Sequence, residues 1–267
     1  MKKFNDEETL NICNLYLSGM SLQKIGKKYG CCKTVIKRIL DENNVKTRDD
    51  SHKIRHYTLN ENYFDVIDTP SKAYILGILF ADGHNCVDKD LVKLELQERD
   101  IDILEKINFE LESNRDLKFS DKRSKNPNWQ NTYRLSIYNK HISQTLENKG
   151  MIQNKSLVLD FPKWLDKNLY SHFIRGFIDG DGHIANNRYS VEIVGTKMFL
   201  ESINEICNEL FGFYGVIKDT YNKDSITKTL RINTFDKSKQ FLDWIYNGAT
   251  IYMNRKYEKY KEKYLAA

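Results

Sequence analysis

The sequence predicts an α+β protein built from two similar halves that follow a small helical domain. An apolar segment that ends in an acid, a glycine and a histidine occurs twice, as AYILGILFADGH over 73–84 and as HFIRGFIDGDGHI over 172–184. Helical and strand patterns follow each segment in the same order. The acids at the two endings, Asp82 and Asp181, lie 181 − 82 = 99 residues apart. A repeat of this kind indicates a duplicated structural unit.

The composition is that of a globular protein, with 40% hydrophobic and 30% charged residues among 267. No apolar run is long enough to cross a bilayer, and the N-terminal MKKFNDEETLN lacks the apolar segment of a secretory signal. Five cysteines without a CxxC pair favour a reducing compartment. We therefore expect the cytoplasm of a bacterium or phage host, or an organelle. The net charge of +5 is compatible with a polyanionic partner.

The first domain, predicted over residues 1–45, has three helical patterns. Asn5 or Asp6 caps the first, Ser21 caps LQKIGKKYG, and CCKTVIKRILDENN follows Gly30. Two short helices joined by a tight glycine turn resemble the helix-turn-helix of resolvase-type and repressor-type DNA binders. That resemblance implies DNA contacts from the exposed face of the last helix, through Lys33, Thr34, Lys37 and Arg38. A plain three-helix bundle with a charged exterior is the alternative.

Residues 46–60 are charged and aperiodic, which predicts a linker. Two repeats follow, over 61–158 and 159–267, and each is predicted to run helix–strand–strand–helix–strand–strand–helix. Alternating segments such as LVKLELQ and TKTLRINTF give each sheet one apolar face, which helices cover, and one polar face. On the polar faces we expect base or phosphate contacts from Lys93, Arg134, Tyr138, Lys218, Arg231 and Asn233.

Small residues lie four positions apart in both repeated helices, as Gly77 and Ala81 and as Gly176 and Gly180. Residues at this spacing share one helix face. A stripe of small side chains allows two helix backbones to approach closely, so we expect the two helices to pack against each other around a pseudo-twofold axis.

This packing would place Asp82 and Asp181 together at two helix C-termini. The helix dipole disfavours an acid there, and the second carboxylate disfavours it again. A divalent cation would reverse both effects, and Mg²⁺ prefers such oxygen ligands beside a phosphate. The alternative is that each acid caps a loop or pairs with a nearby lysine, but two copies in matching positions favour the metal site.

The segments ILGILFADG (75–83) and IRGFIDGDG (174–182) fit the nine-residue motif of the LAGLIDADG homing endonucleases. The chain resembles that family over about residues 61–267. The first copy departs at the sixth position, where Phe80 replaces an acid, while the principal metal ligand of the family is the acid at the eighth, here Asp82 and Asp181. The resemblance to its double-motif branch implies a monomer whose sheets form a saddle on a long asymmetric double-stranded DNA target. It also implies cleavage of both strands with Mg²⁺ or another divalent cation.

The same resemblance implies roles for further residues. Lys155 and Lys256 would stabilise charge near the scissile phosphates, and Gln97 would order water. In the second copy, Val194 or Gly195 offers no group to match Gln97. His84 and His183 follow the two motifs, and their role is undetermined. Each either lies near the cleavage water or is simply a residue at the start of a strand.

The leading functional hypothesis is a site-specific DNA endonuclease with an auxiliary helix-turn-helix domain. A DNA-binding regulator without catalysis and an RNA-binding intron maturase are alternatives on the same scaffold. The presence of both acids favours cleavage.

Overall fold

A computed structural model describes residues 4–47, 57–220 and 226–266 of the chain. Two compact units divide between His56 and Tyr57. The predicted linker, residues 46–60, falls largely on residues 48–56, which lie outside the described residues. Its limits, and the limits of the two repeats, stay predictions. No helix in the described parts of the chain has both the length and the apolar character that a membrane span requires.

The first unit contains three helices, α1 (Asp6–Leu17), α2 (Leu22–Tyr29) and α3 (Lys33–Glu42). The side chains of Asn5 and Ser21 cap α1 and α2, and Gly30 ends α2 in the left-handed conformation, with φ of 66°. The turn between α2 and α3 therefore needs only three residues. Apolar side chains from all three helices form a small core, including the fully buried Ile12, Ile25, Ile36 and Leu40.

The second unit contains two repeats with the same order of elements. The first repeat consists of α4 (Pro70–Asp82), β1 (Gly83–Cys86), β2 (Leu91–Gln97), α5 (Ile101–Glu110), β3 (Lys118–Ser120), β4 (Thr132–Tyr138) and α6 (Lys140–Asn148). The second repeat consists of α7 (Tyr170–Asp181), β5 (Gly182–Ile184), β6 (Ser190–Gly195), α8 (Lys197–Phe211), β7 (Val216–Asp219), β8 (Lys228–Asn233) and α9 (Phe235–Tyr246). The predicted α+β class and the duplicated unit are confirmed.

Each repeat forms one antiparallel four-stranded sheet, and the two sheets have the same topology. The strand orders are β1-β2-β4-β3 and β5-β6-β8-β7. Gly83 pairs with Leu94 in the first sheet, and Gly182 pairs with Ile193 in the second, so positions can be matched between the sheets. β3 is shorter than the predicted segment DLKFS because β4 pairs with it only over Thr132–Arg134.

The two faces of each sheet differ as the alternation predicts. Val92, Leu94 and Leu96 point from β2 into the core, where α5 and α6 cover them, and Val191 and Ile193 do the same beneath α8 and α9. We call the opposite faces the open faces. Their residues include His84, Lys93, Glu95, Gln97, Arg134 and Tyr138 in the first sheet, and His183, Glu192, Val194, Val216, Lys218, Thr229, Arg231 and Asn233 in the second.

The motif helices α4 and α7 pack with their backbones in contact. A Cβ atom on Gly77 would overlap the carbonyl oxygen of Phe173 and lie 2.9 Å from the nitrogen of Phe177. In the matching contact, a Cβ atom on Gly176 would overlap the Tyr74 carbonyl oxygen. The predicted stripe of small residues is therefore the axis around which the two repeats meet.

The second repeat extends beyond the shared pattern. α10 (Asn254–Tyr260) continues as one π-helical turn, Lys261–Leu265, which the repeat pattern does not predict. The Nζ of Lys263 donates hydrogen bonds to the carbonyl oxygens of Asn186 and Arg188, both at 2.9 Å. These hydrogen bonds hold the π-helical turn against the turn between β5 and β6.

We predict that Gly176→Ala lowers the free energy of unfolding by about 3 kcal/mol, the upper part of the range for overpacked cores. The gain in helix propensity from alanine, about 1 kcal/mol, is too small to offset backbone overlap. Urea unfolding measures the change. Gly195→Ala is the matched control because its added methyl would meet the Leu200 side chain at 3.5 Å, an ordinary contact. Equal stability of the two variants would contradict the packing of α4 on α7.

Candidate active site

Asp82 and Asp181 are the last residues of α4 and α7, and the packing of these helices brings them together. A Cβ atom on Gly180 would lie 3.0 Å from Asp82 Oδ2, which places the Asp82 carboxylate against the residue before Asp181. Both side chains keep solvent access. Surrounding protein nevertheless removes enough water to raise the pKa of Asp181 to about 6, with the Asp82 charge as a further cause. Desolvation also raises the pKa of Asp82, while Lys256 and Lys155 oppose it.

Two buried lysines hold the ends of these helices. Lys155 lies in a short 3₁₀ turn after α6, and its Nζ donates to the carbonyl oxygens of Gly83 at 2.5 Å and Ala81 at 3.2 Å. Lys256 lies in α10, and its Nζ donates to the carbonyl oxygens of Ile178, Asp179 and Gly182 at 2.5, 2.8 and 2.7 Å. Each ammonium thus satisfies carbonyl groups that a helix C-terminus leaves unpaired.

The lysines are close to the acids, although their contacts differ from the sequence-based expectation. An ammonium group has three N–H donors, and Lys256 uses one on each of three carbonyl oxygens. Burial lowers the pKa of Lys256 to about 8, and neighbouring acids, Asp82 among them, counteract this. Burial also lowers the pKa of Lys155, which Asp181 and Asp82 oppose. In this geometry both lysines act on the carboxylates through their charge.

A buried acid in the second motif was not anticipated as a functional residue. Asp179 occupies the sixth motif position and is 1% exposed. Its Oδ2 accepts hydrogen bonds from the Tyr74 hydroxyl at 2.7 Å and from the Met253 backbone N–H at 2.8 Å. Burial raises the pKa of Asp179, and Lys256 is the largest opposing charge. Asp179 therefore ties α7 to α4 and to the residue that precedes α10, which carries Lys256.

The symmetry-related contact between α4 and α7 consists of two aromatic rings, one from each repeat. Adding 99 to Tyr74 gives Phe173, and adding 99 to Phe80 gives Asp179, so the pairs Tyr74–Asp179 and Phe173–Phe80 correspond. The rings of Phe80 and Phe173 pack edge to face, with centroids 5.3 Å apart. In the sequence, the sign of this difference was Phe80, which stands at the sixth motif position where the second motif has Asp179.

Arg175 extends the polar network and was also missed. It is fully buried, and its guanidinium donates to the carbonyl oxygens of Ile251 at 3.1 Å and Ile245 at 2.6 Å. The guanidinium carbon lies 5.3 Å from the Tyr74 ring centroid. Nη1 of Arg175 is 2.9 Å from Nδ1 of His172. Since arginine can only donate, His172 accepts there as a neutral imidazole.

A contact between the repeats lies beside the acids. Arg255 of α10 donates from Nε to both carboxylate oxygens of the buried Asp100, at 2.8 and 3.1 Å. Both charges act on the pKa of Asp82, which places them close to it. Asp100 follows the end of β2 by three residues, so β2 leads directly to this side of the site.

Gln97 is the last residue of β2 and is exposed on the open face. The comparison of Gln97 with Val194 or Gly195 was wrong. The registers align Leu94 with Ile193, so three residues further on Gln97 corresponds to Thr196. Thr196 is buried, and its Oγ1 donates to the Leu159 carbonyl oxygen at 2.5 Å while accepting from the Phe199 N–H as the cap of α8. Only the first half of the site has an accessible polar group at this position.

The other predicted residues lie on accessible surfaces. All six sheet residues are on the open faces, where Arg134 lies 3.9 Å from Glu95 and Arg231 lies 2.7 Å from Glu192. His84 and His183 are the second residues of β1 and β5, the strands that follow the acids, and they lie opposite Lys93 and Glu192. In the first unit, the exposed residues of α3 include Lys33, Thr34, Lys37 and Arg38.

The residues of this site that could hold a metal ion are the two carboxylates of Asp82 and Asp181. Within residues 4–47, 57–220 and 226–266, no group of three or more His, Cys, Asp or Glu side chains is placed to hold an ion. Two partly desolvated acids, of which Asp82 raises the pKa of Asp181, suit a cation that completes its coordination with water and substrate oxygens, as Mg²⁺ does.

No protein-family model and no curated protein sequence matches the chain. Several solved structures are similar to it. Full-length DUF199/WhiA from Thermatoga maritima is 17% identical, with 70% of this chain and 59% of that chain covered and a TM-score of 0.47. Meganuclease I-SmaMI bound to uncleaveable DNA is 13% identical (73% and 88% covered, TM-score 0.45). The I-LtrWI LAGLIDADG homing endonuclease bound to target DNA is 13% identical (77% and 90% covered, TM-score 0.46). The chain spans 59% of the length of the full-length WhiA.

We predict a pH-dependent stability from His172, whose pKa burial and Arg175 lower to about 4. The unfolded chain, with a histidine pKa near 6.5, binds more protons between these values. The contribution is therefore complete above pH 6.5 and is lost as the pH falls towards 4, by up to about 2 kcal/mol at pH 5. Urea unfolding at pH 7.5 and pH 5 measures it.

His172→Gln keeps an oxygen that can accept from Arg175 and removes the titrating group. Its stability should fall less between pH 7.5 and pH 5 than that of the wild type. The exposed His84→Gln is the matched control and should follow the wild type. If His172→Gln shows the full wild-type loss, the buried neutral imidazole is wrong.

Proposed function

We propose that the chain is a site-specific DNA endonuclease that breaks both strands of a duplex with a divalent cation held by Asp82 and Asp181. One observation carries the proposal: two carboxylates from duplicated helices converge at one accessible point. Two carboxylate charges in a partly desolvated place repel each other, and the partial negative charge of the helix C-termini disfavours their ionised forms further. A cation between the carboxylates and the phosphates of a substrate would reverse these effects.

Each residue around the acids has a role in this proposal. Lys155 and Lys256 satisfy the helix ends and keep positive charge beside the carboxylates, so both acids can stay ionised near a polyanion. When bound, Mg²⁺ or a similar ion would polarise a phosphate oxygen and lower the pKa of its bound water. Gln97 is exposed at the same edge and is proposed to orient water in the first half of the site. Asp179 is proposed to act indirectly: it positions α10, and with it Lys256, through its hydrogen bond to the Met253 N–H.

The open faces supply the proposed contact with double-stranded DNA. A two-stranded β-ribbon can enter the major groove, where each base pair shows a distinct pattern of donors, acceptors and methyl groups. Lys93, Tyr138, Lys218 and Asn233 lie on these faces. Arg134 and Arg231 lie there too, beside Glu95 and Glu192. Because the two faces differ, the proposed target is asymmetric, and a monomer suffices to bind it.

A DNA-binding protein that does not cut is the second candidate. One observation favours this second candidate: all three N–H donors of the Lys256 ammonium group bind carbonyl oxygens, so none remains for a phosphate. Cleavage assays separate the two candidates. The duplex for these assays is obtained by selecting bound sequences from a random pool in EDTA.

We predict that Asp82→Asn and Asp181→Asn each reduce double-strand cleavage more than about a hundredfold, beyond the typical loss for residues that only support metal ligands. DNA affinity should stay within about threefold because the open faces are unchanged. Gel analysis of the selected duplex with Mg²⁺ measures cleavage, and EDTA should abolish it. Asp236→Asn, an exposed change in α9, is the matched control. Normal double-strand cleavage by either acid variant would rule out the metal assignment.

We predict that Lys33→Gln combined with Lys37→Gln weakens DNA binding and shortens the protected footprint. If both lysines contact phosphates, the slope of log affinity against log salt should fall by about 2. Footprinting and salt titrations measure these effects, while cleavage of bound DNA should persist. Lys197→Gln, on the exposed side of α8, is the control. An unchanged footprint and slope would remove the DNA-binding role from the first unit.

A further inference from the structure

The open faces of the two sheets share a register but carry different chemistry at matching positions. Because Leu94 corresponds to Ile193, Glu95 in the first sheet corresponds to Val194 in the second. The cross-strand partner of Glu95 is Arg134, and that of Val194 is Thr229. A charged pair in one half is thus replaced by two β-branched side chains in the other.

Val194, Thr229 and Val216 form a small group that we call the valine patch. Val194 and Thr229 are direct partners, and Val216 is the partner of Arg231, two residues from Thr229 along β8. Directly opposed Cβ atoms lie about 5 Å apart and diagonal ones about 7–8 Å apart, so Thr229 is a neighbour of each valine. Val194 and Val216 themselves lie on the two strands that flank β8. Val194 is 38% exposed and Val216 is 45% exposed.

The first sheet has a polar surface at the same place. Glu95 pairs with Lys122 at 2.6 Å, accepts from the Thr132 hydroxyl at 2.7 Å and lies 3.9 Å from Arg134. None of its four strands, all within the described residues, has an exposed aliphatic side chain on the open face. The valine patch is therefore a property of one half.

The core does not account for the patch. Val191, Ile193 and Leu230 on the same strands point to the other face and are fully buried. The patch instead lies among groups suited to a polar partner, since Lys218 is opposite Thr229 and Arg231 is opposite Val216. In the major groove, the apolar group that distinguishes a base pair is the thymine 5-methyl.

We propose that the half-site facing the second sheet is thymine-rich, and that the valine patch recognises thymine 5-methyl groups there. This inference rests on the proposed binding of duplex DNA to the open faces. The pairing of Gly182 with Ile193 puts Val194 at the end of β6 nearest Asp181. A thymine that contacts Val194 therefore lies in the part of that half-site nearest the two acids, while Val216 lies farther from them on the edge strand β7. The matching part of the other half-site faces Glu95 and Arg134 and lacks this preference.

The test uses the full chain in EDTA, so that binding is measured without cleavage. Duplexes are selected from a random pool, and the selected sequence is then made with uracil in place of thymine in one half-site at a time. Uracil pairs like thymine but lacks the methyl group. We expect about fourfold weaker binding per lost methyl in one half-site, from the usual transfer free energy of such a group, and little change in the other.

The double variant Val194→Ala and Val216→Ala assigns the effect to the second sheet. It should bind the thymine duplex more weakly than the wild type and lose the difference between thymine and uracil. Val158→Ala, at an exposed valine outside the strands, is the matched control and should keep the difference. Thermal melting checks that the variants are folded, as expected for exposed positions.

The outcomes separate this inference from the proposed function. Selection of a duplex that tolerates uracil in both halves would overturn the thymine contact and leave DNA binding intact. Sensitivity to uracil that persists in the double variant would overturn the role of the valine patch. Failure to select any duplex would overturn the proposed function and this inference with it.

Discussion

The contact between the backbones of α4 and α7 is the constraint on which the rest of the second unit depends. Gly77 and Gly176 leave no room for a side chain, so the two helices meet at a fixed separation and their C-termini end side by side. That single arrangement determines where Asp82 and Asp181 lie. The two helix ends also have unpaired carbonyl groups, which Lys155 satisfies at the end of α4 and Lys256 satisfies at the end of α7.

Much of this architecture could be predicted because it is periodic or local. The spacing of four between Gly176 and Gly180 and the cap Thr69 before Pro70 each specify a structure within a few residues. The alternation in LVKLELQ and TKTLRINTF predicts both the strands and the face that each side chain takes. Because each pattern occurs twice at matching positions, each supports the interpretation of the other. The convergence of the two acids could therefore be predicted from the sequence.

The remaining features depend on contacts between distant single residues, which leave no periodic trace. Asp179 reads as one more motif acid, yet it is buried between Tyr74 and the Met253 backbone, 105 and 74 residues away in sequence. The donors of Lys256 could not be assigned before the fold placed α10 across the end of α7. Thr196 was overlooked as the counterpart of Gln97 because the match requires the strand register, which the two alternations leave undetermined by a residue or two.

The unlike pairs across the helix contact have a consequence for how the halves recognise each other. Two copies of the second repeat would put Phe173 against Asp179 and leave a buried carboxylate without its phenol donor, whereas two copies of the first would bury the Tyr74 hydroxyl against Phe80. An unpartnered buried polar group disfavours either combination. Only the contact of one α4 with one α7 gives every buried polar group a partner. Association of the two different repeats is therefore more stable than association of two identical ones. A duplicated gene that acquires such a pair of substitutions loses its route back to a symmetric dimer, and its two halves are free to diverge.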